Sequence, residues 1–129
     1  MKFTTVRLLV TDFPACHKFY EKILGLKPRF GGPDGHYEEF ETGNGVMVAL
    51  FPRDMMMTAL DTTGTGTTGD DRVVLTCEVD DVDLVAAYLK THGVKLVHEP
   101  TNQPLWHLRV AHFRDPSGNL IEINAPLKP

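Results

Sequence analysis

Cysteine is scarce in this chain: Cys16 and Cys77 are the only two in 129 residues. They fall on a predicted helix and a predicted strand without CxxC spacing, so neither a redox pair nor a zinc site is expected, and both read as buried, reduced thiols. Long hydrophobic runs are also missing. None approaches the ~18 residues of a membrane span, and the N-terminus lacks the basic-then-apolar pattern of a secretory signal. The expected location is therefore cytoplasmic, with no membrane partner. No cluster of Lys and Arg is visible and the net charge is −4, which argues against a nucleic-acid partner, because phosphate backbones are bound by clustered cations. A Gly-rich phosphate loop, a G-x-S-x-G elbow and an H-E-x-x-H helix are all absent, so nucleotide binding and triad hydrolysis have no support.

What remains is ordinary in bulk and unusual in layout. At 42% hydrophobic and 23% charged residues the composition is that of a globular protein, and the length suits one domain rather than two independent ones. Within it the same arrangement occurs twice. LLVTDF around Val10, a helix-patterned run and Gly25-Leu26-Lys27 are matched by CEVDDV around Val79, a second helix-patterned run and Gly93-Val94-Lys95. A duplicated unit implies two similar halves and a cleft lined by both.

In the first copy, Thr4 to Val10 reads as a strand. Asp12 is placed to cap a helix whose apolar residues Cys16, Phe19, Tyr20, Ile23 and Leu24 share one stripe, and Gly25 stands where a left-handed stop is wanted. Strands follow at Leu26 to Phe30, His36 to Glu41 and Val46 to Phe51, separated by Gly-rich turns. The second copy repeats the order: a strand over Arg72 to Val79, an Asp81 cap, a stripe of Val82, Val85, Ala86 and Leu89, and a stop at Gly93. Strands at Val94 to His98, Leu108 to Phe113 and Leu120 to Asn124 complete it. Asp115-Pro116-Ser117-Gly118-Asn119 reads as the tight turn between the last two. The expected domain is single, spanning 1–129, with module one at about 2–53, a linker at about 54–71 and module two at about 72–125. Within the linker, Met55-Met56-Met57 suits either a short helical turn on its own module or a soft apolar lip over a ligand.

The segment Phe113-Arg114-Asp115-Pro116-Ser117-Gly118-Asn119-Leu120-Ile121-Glu122-Ile123, together with the doubled β-α-β-β-β order, resembles the vicinal oxygen chelate superfamily of glyoxalases, bleomycin-resistance proteins and extradiol dioxygenases. The resemblance runs from about Lys2 to Ala125. It implies an α+β fold in which two βαβββ modules form a curved mixed sheet with one helix outside each module, and a homodimer. It also implies four positions for metal ligands, which here are Thr5, Ala49, Val74 and Glu122. One carboxylate beside Thr, Ala and Val is not a divalent-metal coordination shell, so no metal and no cofactor are expected, a divalent metal being the alternative.

Glu122 lies between Ile121 and Ile123 on an alternating strand. If the isoleucines pack under a helix, Glu122 points into the cleft as a ligand contact or catalytic base; the other reading is a hydrogen-bonded structural carboxylate. Arg7 shares a strand face with Thr5 and either pairs with Glu122 or lies at the surface. Trp106 offers a stacking wall, with His107 and Arg109 as neighbours, and Met47, Ala49 and Phe51 alternate on one face of the fourth strand. The six histidines show no HxH or HxxxH pair. His17 falls among the polar positions of the first helix, and His107 and His112 are an odd number apart. The expected function is metal-independent binding of an apolar or aromatic small molecule at Thr5, Arg7, Met47, Ala49, Phe51, Val74, Trp106, His107 and Arg109. The alternative is a lyase, isomerase or dioxygenase with Glu122 as base or with a non-standard metal site.

Overall fold

The computed structural model describes residues 4–59 and 73–128. The Thr/Gly-rich part of the expected linker lies outside them. The fold is α+β, with two four-stranded mixed sheets and three helices. The chain divides into two compact units. The first holds β1 (Thr5–Val10), α1 (Phe13–Lys18, continued by a wider π turn over Phe19–Ile23), β2 (Lys27–Pro28), β3 (Glu38–Glu41), β4 (Met47–Pro52) and α2 (Arg53–Ala59). The second holds β5 (Val74–Glu78), α3 (Val82–Thr91), β6 (Leu96–Gln103), a 3-10 turn at Pro104–Trp106, β7 (Leu108–Arg114) and β8 (Leu120–Pro126).

The duplication read from the sequence is a duplication of topology. The strand orders are β1-β4-β3-β2 and β5-β8-β7-β6, and in each sheet the first strand runs parallel to the fourth while the remaining pairs are antiparallel. The punctuation is as expected. Asp12 Oδ1 accepts from the Ala15 N–H and Asp81 Oδ1 from the Leu84 N–H, both at 3.1 Å, and Gly25 and Gly93 have φ of 74° and 82°, which favour glycine. The turn from Asp115 is closed by its own carboxylate, which accepts from the Ser117 and Asn119 N–H groups at 2.9 Å.

In the first unit α1 packs on the sheet, and the core combines Leu8, Val10, Phe13, Cys16, Phe19, Tyr20, Phe40, Val48 and Leu50. Among these sits a fully buried hydrogen-bonded pair. His17 Nε2 lies 2.7 Å from Glu38 Oε1, and neither side chain is exposed. His17 is thus not on a polar helix face as its position had suggested. A carboxylate only accepts, so Nε2 carries a hydrogen, while Nδ1 has no hydrogen-bond partner.

Glu38 also accounts for the shortness of β2. Arg29 still donates to the Glu39 carbonyl at 3.0 Å, but the N–H groups of Phe30 and Gly31 donate to the Glu38 carboxylate at 2.7 and 3.2 Å. The side chain replaces the ladder there, and the strand expected to reach Phe30 ends at Pro28. In the second unit β6 is longer than expected. It is an edge strand that runs through Pro100 with register shifts between Leu96 and Thr101, as a residue without an N–H requires.

One further expectation is corrected. Cys77 is exposed, because β5 is a sheet edge and α3 packs over β6, β7 and β8. The first unit carries a second helix: Met55–Met57 belong to α2, which packs against β1 and β4 of its own unit. That favours the helical-turn reading of the methionines.

Burial alone would push the Glu38 carboxyl up, but hydrogen bonds from His17 and from the N–H groups of Phe30, Glu39 and Gly31 more than offset it and hold the group below its ordinary value. Its ionised form therefore contributes stability above that value, and the contribution is lost as pH falls from about 4.3 through the lowered folded value. Glu38→Ala is expected to cost about 3–5 kcal/mol by stranding buried donors, and Glu38→Gln to flatten the acid limb of stability. Urea midpoints measured across an acidic pH series check both.

Candidate functional site

Alternation along the strands separates two faces in each sheet. In the first unit the face under α1 is the core. The opposite face carries Thr5, Arg7 and Leu9 from β1, Met47, Ala49 and Phe51 from β4, and Glu39 and Glu41 from β3, in a register that pairs Arg7 with Ala49 and Ala49 with Glu39. Thr5, Met47 and Phe51 are half-buried, Arg7 is exposed and Ala49 is fully buried. Thr5, Arg7, Met47, Ala49 and Phe51, expected to line one surface, do share one.

Tyr37, just before β3, adds what sequence reasoning missed. Its ring lies 6.2 Å from that of Phe51 and 5.9 Å from that of Phe30, and its hydroxyl donates to Glu39 Oε1 at 2.8 Å. The Arg7 guanidinium stands 5.4 Å from the centre of the Tyr37 ring and 6.0 Å from that of Phe51, within cation–π range. Of the two positions left open for it, Arg7 takes the exposed one.

In the second unit Ile121 and Ile123 are buried, and α3 packs against their strand. Glu122 therefore faces the other way, as alternation requires. It shares that face with Val74 and Thr76 of β5 and with His112 of β7. Both its oxygens are occupied: His112 Nε2 is 2.9 Å from Oε1, and Asn124 Nδ2 donates to Oε2 at 2.9 Å. Glu122 thus bridges His112 and Asn124 on this face. The His98 ring packs edge-on against His112 with centroids 5.9 Å apart, giving the cross-sheet row Thr76, Glu122, His112, His98. The signal for the dyad was present. The tight turn after Arg114 sets it opposite Leu120, and two residues back along each strand are His112 and Glu122.

Three other candidates do not join this row. Arg109 lies on the helix-facing side of β7, where its Nε and Nη2 donate to the two oxygens of Asp83 on α3 at 2.7 and 2.8 Å and its Nη1 donates to Asn102 at 2.9 Å. These bonds hold the Asp83 carboxyl below its usual range and raise the guanidinium. Trp106 ends the exposed 3-10 turn, 53% accessible. His107 follows it with a left-handed φ of 58°, ahead of β7, so counting faces from His107 to His112 does not apply.

Of the four positions where the superfamily resemblance implies metal ligands, Thr5 and Ala49 share the first open face and Val74 and Glu122 the second. Only Glu122 offers a carboxylate, and it is already bonded at both oxygens. Among the described residues no three His, Cys, Asp or Glu side chains are grouped to hold a metal ion. No described helix is long and apolar enough to cross a membrane.

The model of the Glyoxalase/Bleomycin resistance protein/Dioxygenase superfamily matches residues 2–123. The chain belongs to that superfamily. The uncharacterized protein YraH of Bacillus subtilis (strain 168) is 35% identical over 125 residues, which cover 95% of this chain and 97% of YraH. Among solved structures, a glyoxalase/bleomycin resistance protein/dioxygenase from Nocardioides has a TM-score of 0.79 at 24% identity, covering 99% of this chain and 85% of its own. TnmS3, an antibiotic binding protein from Streptomyces sp. CB03234, has a TM-score of 0.72 at 25% identity, covering 98% and 96%.

If Arg109 serves α3 docking and not a ligand, Arg109→Gln and Asp83→Asn will each lower the melting temperature slightly and to the same extent, with no additivity in the double variant. High salt should shrink the effect, since the pair is exposed. Thermal melts of the four proteins at two salt concentrations check this.

Proposed function

We propose that this protein binds an apolar or aromatic small molecule without a metal, using the open sheet faces that carry Thr5, Arg7, Met47, Phe51, Val74 and Glu122. The observation that supports it most is the engagement of Glu122: the one carboxylate at the four implied ligand positions is committed to His112 and Asn124. The aromatic rings of Tyr37 and Phe51 beside Met47 offer an apolar surface of the kind that holds small ligands. The antibiotic binding described for TnmS3 is a property of that protein and lends the reading plausibility by analogy alone. The reading includes a cytoplasmic homodimer. Exposed Val6 and Leu9 on β1 and Val74 on β5, all at sheet edges, are the aliphatic surfaces a second copy would cover.

A screen of planar aromatic compounds followed by Trp106 fluorescence and calorimetry, in the presence of a chelator, is expected to find micromolar or tighter binding. Elemental analysis of the purified protein is the opposing measurement. Stoichiometric metal that is lost in Glu122→Ala would overturn the metal-free reading.

A catalytic reading rests on a separate observation, the His112–Glu122 pair. With Nε2 bonded to the carboxylate, a neutral His112 keeps Nδ1 as a base, the arrangement in which a carboxylate orients an imidazole for proton transfer. A lyase or isomerase of this superfamily would use it. In that case a bound ligand with an acidic C–H will exchange it for deuterium in heavy water, as followed by NMR, and His112→Gln will slow exchange by roughly 100-fold. Exchange that is unchanged in His112→Gln excludes this role.

A further inference from the structure

We propose that the open face of the first sheet selects anions, specifically an aromatic carboxylate, with Arg7 as the anion contact. The inference rests on the small-molecule-binding reading and gives that ligand a charge.

Arg7 sits in mid-strand on β1, on the same face as the aromatic cluster, and is exposed. Its contacts with Tyr37 and Phe51 are made through ring faces. Such contacts restrain the guanidinium but use none of its five N–H donors. The acidic group nearest in register, Glu39, is already occupied: it accepts from the Tyr37 hydroxyl at 2.8 Å and lies 3.5 Å from Arg29 Nη1. Among the described residues of its own unit, no carboxylate pairs with Arg7. The result is a positioned fork of donors with unmet capacity, and a planar carboxylate is the group that matches such a fork bidentately.

The surroundings specify the rest of the ligand. Phe30, 60% exposed, Tyr37 and Phe51 follow one another with ring centres 5.9 and 6.2 Å apart, a wall suited to a flat apolar body. The sign of the charge follows from the count around that wall. Two guanidinium groups stand at it, Arg7 by Tyr37 and Phe51 and Arg29 5.8 Å from the Phe30 ring, against the carboxylate of Glu39, while Glu41 farther along β3 stands opposite Lys27 in register. An aromatic cation would meet net repulsion there; an aromatic anion would be drawn in.

The test compares 2-naphthoate with its neutral isostere 2-naphthamide on the full chain by calorimetry, for wild type, Arg7→Gln and Arg7→Lys. The expected result is roughly tenfold tighter binding of the acid by wild type, weakened by added salt. Arg7→Gln should erase the preference, and Arg7→Lys should leave an intermediate one, because it keeps the charge and loses the fork. Circular dichroism and melting temperature establish that each variant is folded. Equal affinity of wild type for acid and amide, or a preference that survives in Arg7→Gln, overturns the anion assignment while the ligand-binding reading stands. Failure of both naphthyl compounds to bind also overturns it, whereas the broader reading falls only if the full aromatic screen is empty.

Discussion

A single buried carboxylate ties the first unit together. Glu38 projects from β3 into the core and gathers a hydrogen bond from His17 on α1 and the N–H groups of Arg29, Phe30, Gly31 and Glu39. An ionised group taken out of water is tolerable only when its lone pairs are filled, and here they are. The arrangement also reaches the other side of the sheet. By holding the backbone at Phe30 it sets that ring beside Tyr37, and β3 passes from Glu38 directly to Glu39, which anchors the Tyr37 hydroxyl and Arg29. The surface assigned to a ligand is thus held in place from the core face.

The two units share strand order, helix placement and capping, yet their open faces differ in chemistry. The first presents arginine and aromatic rings; the second presents His98, His112, Glu122 and Asn124. Duplication preserved the register that places side chains and left their identity free, since outward-facing positions on a sheet carry little of the packing that constrains the core. In the second unit the register does chemical work, because antiparallel partners are the closest neighbours a sheet offers, and His112 opposite Glu122 makes a bonded pair. One carboxylate bonded at both oxygens differs from a free one awaiting an ion, and the metal-free reading depends on that difference.

Much of the fold was legible residue by residue. The Asp12 and Asp81 caps, the Gly25 and Gly93 stops and the Asp115 to Asn119 turn act through local backbone geometry, which a few neighbouring residues determine. The face of Glu122 was legible too, from the buried isoleucines on either side of it. His17 was not, because a histidine read as lying among the polar positions of a helix gains its place in the core from Glu38, a partner distant in the chain. Arg109 was placed near Trp106 by proximity in sequence, but strand alternation and Asp83 on α3 take it to the opposite face. Cys77 was expected to be a buried, reduced thiol on a strand, and an edge position exposes it.

By itself the chain determined most of the strands, the two helices with their caps and stops, and that the pattern occurs twice, because those features follow from short-range periodicity, caps and turns; the ends of β2 and β6 were not among them. Tertiary structure decided which polar groups meet: His17 with Glu38, Arg109 with Asp83, Arg7 with Tyr37 and Phe51. Such pairings depend on strand register and on which face a helix covers, and both are settled only when separate segments pack together and each buried donor or acceptor must find a partner.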